Sequence, residues 1–131
     1  MFPKFSFLLI FAVVLSLTHK SLCQDWETFQ KKHLTDTVDV NCDVEMQKAL
    51  FNCKQTNTFI FARPPRVQAL CKNIKDNTDV LSRDEFYLPE CNRTKLPCHY
   101  KLKKPLNTIC LTCRKELPVH FAGVGKCPEK V

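Results

Sequence analysis

Glycine is nearly absent from this chain of 131 residues. Only Gly123 and Gly125 occur, both near the C-terminal end. Turns elsewhere cannot rest on glycine and must lean on proline, asparagine and aspartate. After the first 23 residues there is no apolar run long enough to cross a bilayer, which excludes a helical membrane span and favours a soluble product. There is no internal repeat and no low-complexity segment, which excludes a repeat architecture. Histidine is also scarce beyond residue 23, with only His33, His99 and His120.

Residues 1–23 read as a secretory signal peptide. Lys4 supplies the positive start, and Phe5 to Leu17 form an apolar stretch too short for a membrane span. Ser21-Leu22-Cys23 offers small residues for cleavage after Cys23. A retained signal anchor is disfavoured, because Thr18, His19 and Lys20 follow the apolar stretch at once. The product is expected to be secreted and extracellular, as a single domain over residues 24–131. Gln24 would then be the first residue and can cyclise to pyroglutamate. Cleavage removes Lys4 and Lys20 and no acid, so the net charge falls from +7 to +5. Such a surface suits polyanions: RNA, acidic glycans or acidic lipids.

Nine cysteines become eight on cleavage: Cys42, Cys53, Cys71, Cys91, Cys98, Cys110, Cys113 and Cys127. In a short secreted chain they read as four disulfides, which compensate for a modest core; spacing alone does not assign the pairs. Cys110-Leu111-Thr112-Cys113 would raise zinc or redox chemistry in the cytosol, but in an exported chain it reads as structural. Residues 128–131 lie past the last cysteine and read as a loose tail.

Asp25 is placed to cap a first helix, with Trp26, Phe29 and His33 on one face. Asp43 is expected to start a second helix with Val44, Gln47 and Leu50 as its stripe. Pro64 and Pro65 suit the entrance of a third, with Val67, Leu70 and Cys71 as its buried side. Strands are expected at Phe59–Phe61, Phe86–Leu88, His99–Leu102, Ile109–Cys113 and Val119–Val124. Helices early and strands late indicate an α+β fold with antiparallel pairing. Asn92-Arg93-Thr94 forms a glycosylation acceptor triplet.

Histidine exchanges protons near neutral pH. RNA carries its own nucleophile, the ribose 2′-OH. Cleaving it needs a base for that proton, an acid for the departing 5′-oxygen and a cation for the phosphorane. Two histidines and a lysine meet that need with no metal and no cofactor. His99, beside Tyr100 and near Lys101 and Lys103, reads as an ordinary strand residue.

The segment Cys53-Lys54-Gln55-Thr56-Asn57-Thr58-Phe59 resembles the C-K-x-x-N-T-F signature of the pancreatic-type ribonuclease family. Phe29-Gln30-Lys31-Lys32-His33 is similar to that family's first helix, and Pro118-Val119-His120-Phe121 to its last strand. The order of the three pieces agrees, and the resemblance runs from Gln24 to Cys127. Gln24-Asp25-Trp26, Glu85-Phe86-Tyr87-Leu88, Tyr100-Lys101-Leu102-Lys103-Lys104 and Gly123-Val124-Gly125 resemble the amphibian, onconase-like branch.

The resemblance implies three short helices packed on a strongly bent antiparallel sheet. It implies the pairs Cys42–Cys91, Cys53–Cys98, Cys71–Cys113 and Cys110–Cys127. It also implies a secreted, metal-independent endoribonuclease that cuts single-stranded RNA 3′ of pyrimidines through a 2′,3′-cyclic phosphate, in a cytotoxic or host-defence setting. His33 would be the base, His120 the acid, and Lys54 the cation at the phosphorane. The backbone N–H of Phe121 would donate to a non-bridging oxygen. Thr58 would read the pyrimidine, Lys32 would hold phosphate, and cyclised Gln24 would bond near Lys32 or the phosphate. Thr112 lies in the base-recognition region.

The chain departs from the pattern in places. No aspartate follows His120 to orient its imidazole as in mammalian members. Arg114 stands where relatives carry an acidic or polar residue, which bears on the second base, and Glu90 is a further candidate contact there. Lys31, Lys72, Lys75, Lys101, Lys103 and Lys104 are either phosphate contacts or surface charge. A competing reading is a glycan-binding lectin or cationic membrane-active defence protein on a ribonuclease scaffold. A weaker one is a disulfide-rich inhibitor or growth-factor-like ligand. No stable protein partner is expected.

Overall fold

The computed structural model describes residues 24–129. The leader read in residues 1–23, and the last two residues of the expected tail, lie outside the described residues. Pro128 and Glu129 are exposed and without regular structure.

Helix α1 spans Trp26–His33, and the Asp25 carboxylate accepts from the Thr28 N–H at 2.7 Å to cap it. Glu27 in its first turn and Lys31, Lys32 and His33 in its last suit the helix dipole. Strand β1 (Leu34–Thr35) follows, then α2 (Cys42–Glu45), β2 (Thr56–Thr58), β3 (Ile60–Phe61) and α3 (Pro64–Gln68), which runs into a 3₁₀ turn at Ala69–Cys71. The remaining strands are β4 (Thr78–Leu81), β5 (Phe86–Tyr87), β6 (Glu90–Lys95), β7 (His99–Lys103), β8 (Leu106–Asn107), β9 (Ile109–Arg114) and β10 (Leu117–Val124).

The three short helices and the antiparallel pairing match the expected α+β class. The bent sheet is realised as two three-stranded antiparallel sheets, β2–β6–β7 and β4–β9–β10. A parallel pair β1–β3 and an antiparallel pair β5–β8 are the remaining pairings. Register shifts at Arg93/Lys95, Pro118/His120 and Phe121/Gly123 interrupt the ladders of β6–β7 and β9–β10, the kind of irregularity that bends and twists a strand. One core gathers Phe29, Ile60, Val67, Phe86, Leu88, Ile109 and Leu111, and the other Val40, Met46, Phe51 and Phe59 around buried cysteines.

The disulfides are Cys42–Cys91, Cys53–Cys98, Cys71–Cys113 and Cys110–Cys127, the pairs that the resemblance implies. Asparagine takes the place of glycine in several turns. Asn52, Asn73 and Asn77 all have positive φ, a conformation asparagine tolerates. Lys115 and Glu116 form the two-residue turn of the β9–β10 hairpin, both at positive φ. Asp76 and Asn73 hold it: the Lys115 N–H donates to the Asp76 carboxylate, and the Glu116 carboxylate accepts from the Asn73 N–H.

Three readings need correction. The second helix is capped by Asn41, not Asp43, whose carboxylate instead accepts from the Tyr100 N–H at 2.8 Å. Cys42 is tethered to Cys91, so Cys42 and Met46 turn inward one helical turn apart, leaving Val44 58% and Leu50 40% exposed. Phe59 lies outside a strand, its N–H donating to Pro89 O. Leu88 also lies outside, bonded to Pro105 O.

Replacing Asp25 by Ala removes the α1 cap, which costs about 1 kcal/mol. Thermal denaturation should show Tm falling by roughly 4–8 °C. An unchanged Tm would mean that packing on β10 alone holds the helix.

Candidate active site

Four segments converge. The last turn of α1 brings Lys32 and His33, and β2 brings Thr58. The turn before β2 brings Lys54, and β10 brings His120 and Phe121. Helix α1 packs on β10, and the aromatic chain Trp26–Phe29–His33–Phe121 carries that contact, with ring centroids 5.9, 5.2 and 5.1 Å apart in turn. The face predicted for Trp26, Phe29 and His33 is therefore the face that sets the imidazole in place.

His33 Nδ1 lies 2.9 Å from the Thr58 carbonyl oxygen. A carbonyl only accepts, so Nδ1 carries the proton and Nε2 keeps its lone pair in the neutral ring. Burial pushes the His33 pKa down to about 4; the Thr58 bond opposes this, while Lys54, Lys32 and His120 add to it by repulsion. These charge interactions also show that the four groups share one neighbourhood. At neutral pH His33 is an unprotonated, oriented base.

Lys54 sits on a rigid turn. Asn52 and Cys53 are both left-handed, and the Cys53 N–H donates to Met46 O at 2.7 Å. The Tyr100 hydroxyl donates to Lys54 O at 2.6 Å, and Arg93 Nη1 to Cys53 O at 2.7 Å. The ammonium lies 5.7 Å from the Phe51 ring centroid. Burial, and then Lys32, lower the Lys54 pKa. Two lysines and two histidines held together, with no carboxylate partner among the described residues, form a site that favours an anion.

His120 is exposed on β10 opposite Thr112, which lies in turn opposite Asp79 of β4. The Thr112 hydroxyl donates to the Asp79 carboxylate at 2.7 Å, which leaves the oxygen as an acceptor. Two residues on, Arg114 Nε donates to Asn77 Oδ1 at 3.1 Å. Gln24 reaches His120: its amide nitrogen donates to Nδ1 at 3.3 Å. Cyclisation to pyroglutamate expels that nitrogen, so this contact belongs to the uncyclised glutamine.

Sequence reasoning passed over Asn57. It is 4% exposed, and its amide donates to Lys32 O at 2.9 Å, tying β2 to the end of α1. The signal was available, since Asn57 stands inside the signature segment. Asp79 and Asn77 carried no comparable signal. His99 lies apart from this cluster, exposed on β7 and 3.7 Å from Asp43. Asn92, the acceptor asparagine, is on the central strand β6 with its amide bonded to Thr56 and Glu90.

An open groove of about 1080 Å³ lies elsewhere, lined by Phe61, Arg63, Arg66, Tyr87 and Leu106 among others, and it includes none of the converging residues. Among the described residues no cluster of His, Cys, Asp and Glu could hold a metal ion.

Residues 24–122 match the family model described as pancreatic ribonuclease. Protein P-30 of Lithobates pipiens is 57% identical over 104 residues, covering 79% of this chain and 100% of its own. The oocytes ribonuclease of Aquarana catesbeiana is 42% identical over 130 residues, covering 94% and 97%. Among solved structures, a cytotoxic ribonuclease from Rana catesbeiana, complexed with d(ApCpGpA) and (2′,5′CpG), is 82% identical with a TM-score of 0.79, over 79% of this chain and 99% of that one.

Proposed function

Because the chain belongs to the pancreatic ribonuclease family, we propose that it is a secreted endoribonuclease that cleaves single-stranded RNA 3′ of pyrimidines without a metal. The observation that carries this reading is the state of His33: neutral, with Nδ1–H fixed on Thr58 O and Nε2 free beside Lys54 and His120.

His33 Nε2 takes the 2′-OH proton as that oxygen attacks the adjacent phosphorus. His120 gives a proton to the departing 5′-oxygen, closing the 2′,3′-cyclic phosphate. The roles reverse when water opens that ring. Lys54 offsets the negative charge gathered on the phosphorane, and the Phe121 N–H donates to a non-bridging oxygen. Lys32 holds phosphate beside His33. Thr58 reads the pyrimidine through its hydroxyl and backbone N–H, with Glu90 opposite it across the sheet. Thr112 and Arg114 face the second base. The cytotoxicity named for the Rana relatives is part of the proposal, as is export through the leader, with Gln24 cyclised afterwards.

The test uses residues 24–131 on fluorogenic UpG, CpG and ApG, with and without EDTA. UpG and CpG should be cut to the cyclic phosphate and then the 3′-phosphate, equally well in EDTA, with ApG at least about 100-fold slower, a difference of about 2.7 kcal/mol. Equal cleavage of ApG would remove Thr58 as a pyrimidine reader. Loss of activity in EDTA, restored by a divalent cation, would overturn the metal-independent mechanism.

A further inference from the structure

Lys54 does not stand on a strand. It follows two residues in the left-handed region, Asn52 at φ 48° and Cys53 at φ 53°, and precedes β2. Residues with a Cβ keep that conformation only where the surroundings over-determine it. Here the backbone polar groups around Lys54 are taken up one after another. The Cys53 N–H donates to Met46 O at 2.7 Å, and the Lys54 N–H to Phe51 O at 3.0 Å. Three successive carbonyls then accept. Cys53 O takes Arg93 Nη1 at 2.7 Å, Lys54 O takes the Tyr100 hydroxyl at 2.6 Å, and Gln55 O takes the Arg93 N–H at 2.8 Å. Arg93 thus grips the chain on both sides of Lys54, once with its side chain and once with its backbone. Arg93 and Tyr100 are directly opposed across β6 and β7, so they reach the turn from one face. Arg93 is half-buried and has no ion-pair partner among the described residues. Its guanidinium is spent on a peptide carbonyl.

We propose that Arg93 is a positioning residue for Lys54: its side chain fixes the peptide before Lys54, and with it the direction from which the ammonium reaches the phosphorane. A lysine carries its charge on a flexible four-carbon stem, so the place of the ammonium depends on where the backbone aims that stem. A cation stabilises developing charge best when it is already in place before the reaction. A misplacement of about 1 Å can cost on the order of 10²-fold in rate. Without the Arg93 side chain the Cys53 carbonyl is free to turn toward water, and the Cys53–Lys54 peptide turns with it. The Tyr100 bond and the Arg93 N–H remain, so the turn loosens and does not come apart. This inference rests on the ribonuclease reading, in which Lys54 offsets the charge of the phosphorane.

The test measures kcat and KM on fluorogenic UpG as a function of pH, with Tm and the NMR titration of His33 recorded for each protein. The proteins are the wild type, Arg93→Met, Arg93→Gln, Lys54→Gln and the double variant Arg93→Met/Lys54→Gln. Arg93→Met keeps the bulk of the stem and removes the donor. Arg93→Gln, polar but shorter, is the second variant if the first does not fold. Ser82→Ala is the stability control. Ser82 is 4% exposed just past β4, and its Oγ accepts from the Ile109 N–H at 2.9 Å and donates to Asp84 O at 2.8 Å, away from the Lys54 turn. The expected result is a fall in kcat of about ten-fold with KM changed less than about two-fold, because Lys54 acts on the transition state. The acid limb and the His33 titration should both move upward, since the Lys54 charge that repels a proton on His33 is no longer held in place. On the Lys54→Gln background, Arg93→Met should cost no more than about two-fold further, because the two residues act as one unit. Ser82→Ala should lower Tm and leave kcat and the acid limb unmoved. Wild-type kcat in a folded Arg93 variant, an unmoved acid limb, a full second loss on the Lys54→Gln background, or an equal kcat loss in Ser82→Ala would overturn the assignment. Failure of the wild type to cut UpG would sink the catalytic reading itself, whereas failure of the Arg93 assignment leaves that cleavage and its dependence on Lys54 intact.

Discussion

Replacing His33 by Ala should lower kcat/KM on UpG by at least about 10³-fold, within the range that positioned proton transfer contributes. His120→Ala should fall by a similar factor. The double variant should be little worse than either single one, because base and acid act on the same transition state and their losses do not add. The structure explains why no neighbour can stand in for His33. Its Nδ1–H is fixed on Thr58 O at 2.9 Å, and its ring is held between Phe29 and Phe121. Removing the ring also leaves space between two aromatics, which costs on the order of 1–3 kcal/mol of stability. A Tm measurement therefore accompanies the assay. A folded His33→Ala protein that keeps a tenth or more of wild-type activity would remove His33 from the mechanism.

The legible parts of this molecule are those that local physics decides alone. Asp25 and the spacing of Trp26, Phe29 and His33 give helix α1, because a cap and a 3.6-residue stripe need no distant partner. Scarce glycine pointed to asparagine turns, and Asn52, Asn73 and Asn77 supply them. The signature segment marked Lys54 and Thr58, and with them Asn57, whose buried amide was overlooked. Tertiary constraints hid the rest. The Cys42–Cys91 bridge rotates α2 against its own hydrophobic pattern, so Val44 faces water and Met46 the core. Strands β2, β4 and β6 are rich in Thr, Asn, Asp and charged residues. They form because neighbouring strands satisfy their backbones, a cause that single-sequence periodicity does not carry. The Thr112–Asp79 bond joins residues 33 positions apart and becomes visible only in the sheet register.

Replacing Lys54 by Gln should lower kcat/KM by about 10²–10³-fold, the effect of removing one group aimed at developing charge, and should also change the pH profile. In the wild type, His33 must be neutral to accept the 2′-OH proton. Its pKa near 4 places the acid limb of kcat/KM at about pH 4, where an unperturbed imidazole would place it near 6.5. Burial is the main cause of that depression, and the Lys54 charge is one of the repulsions added to it. Removing the charge lets His33 hold its proton more readily, so the acid limb moves upward, while burial keeps it below the ordinary histidine value. Stability follows the same linkage. The folded pKa is depressed, so below pH 6.5 the unfolded chain binds this proton first. The contribution of His33 to stability is complete above that pH and is lost as pH falls toward 4. Lys54→Gln narrows the window from below, because the folded pKa rises toward the unfolded one. Lys54 sits on a turn held by the Cys53 N–H on Met46 O and by the Tyr100 and Arg93 side chains donating to the carbonyls of Lys54 and Cys53, none of which involves its ammonium, so the variant should fold. The measurement is kcat/KM on UpG from pH 3.5 to 8 for both proteins, with His33 titrated by NMR. A loss of activity with the acid limb and the His33 titration both unmoved would place the Lys54 ammonium away from His33 and confine it to binding substrate. An upward shift with a loss at every pH would put the charge beside both the base and the phosphorane.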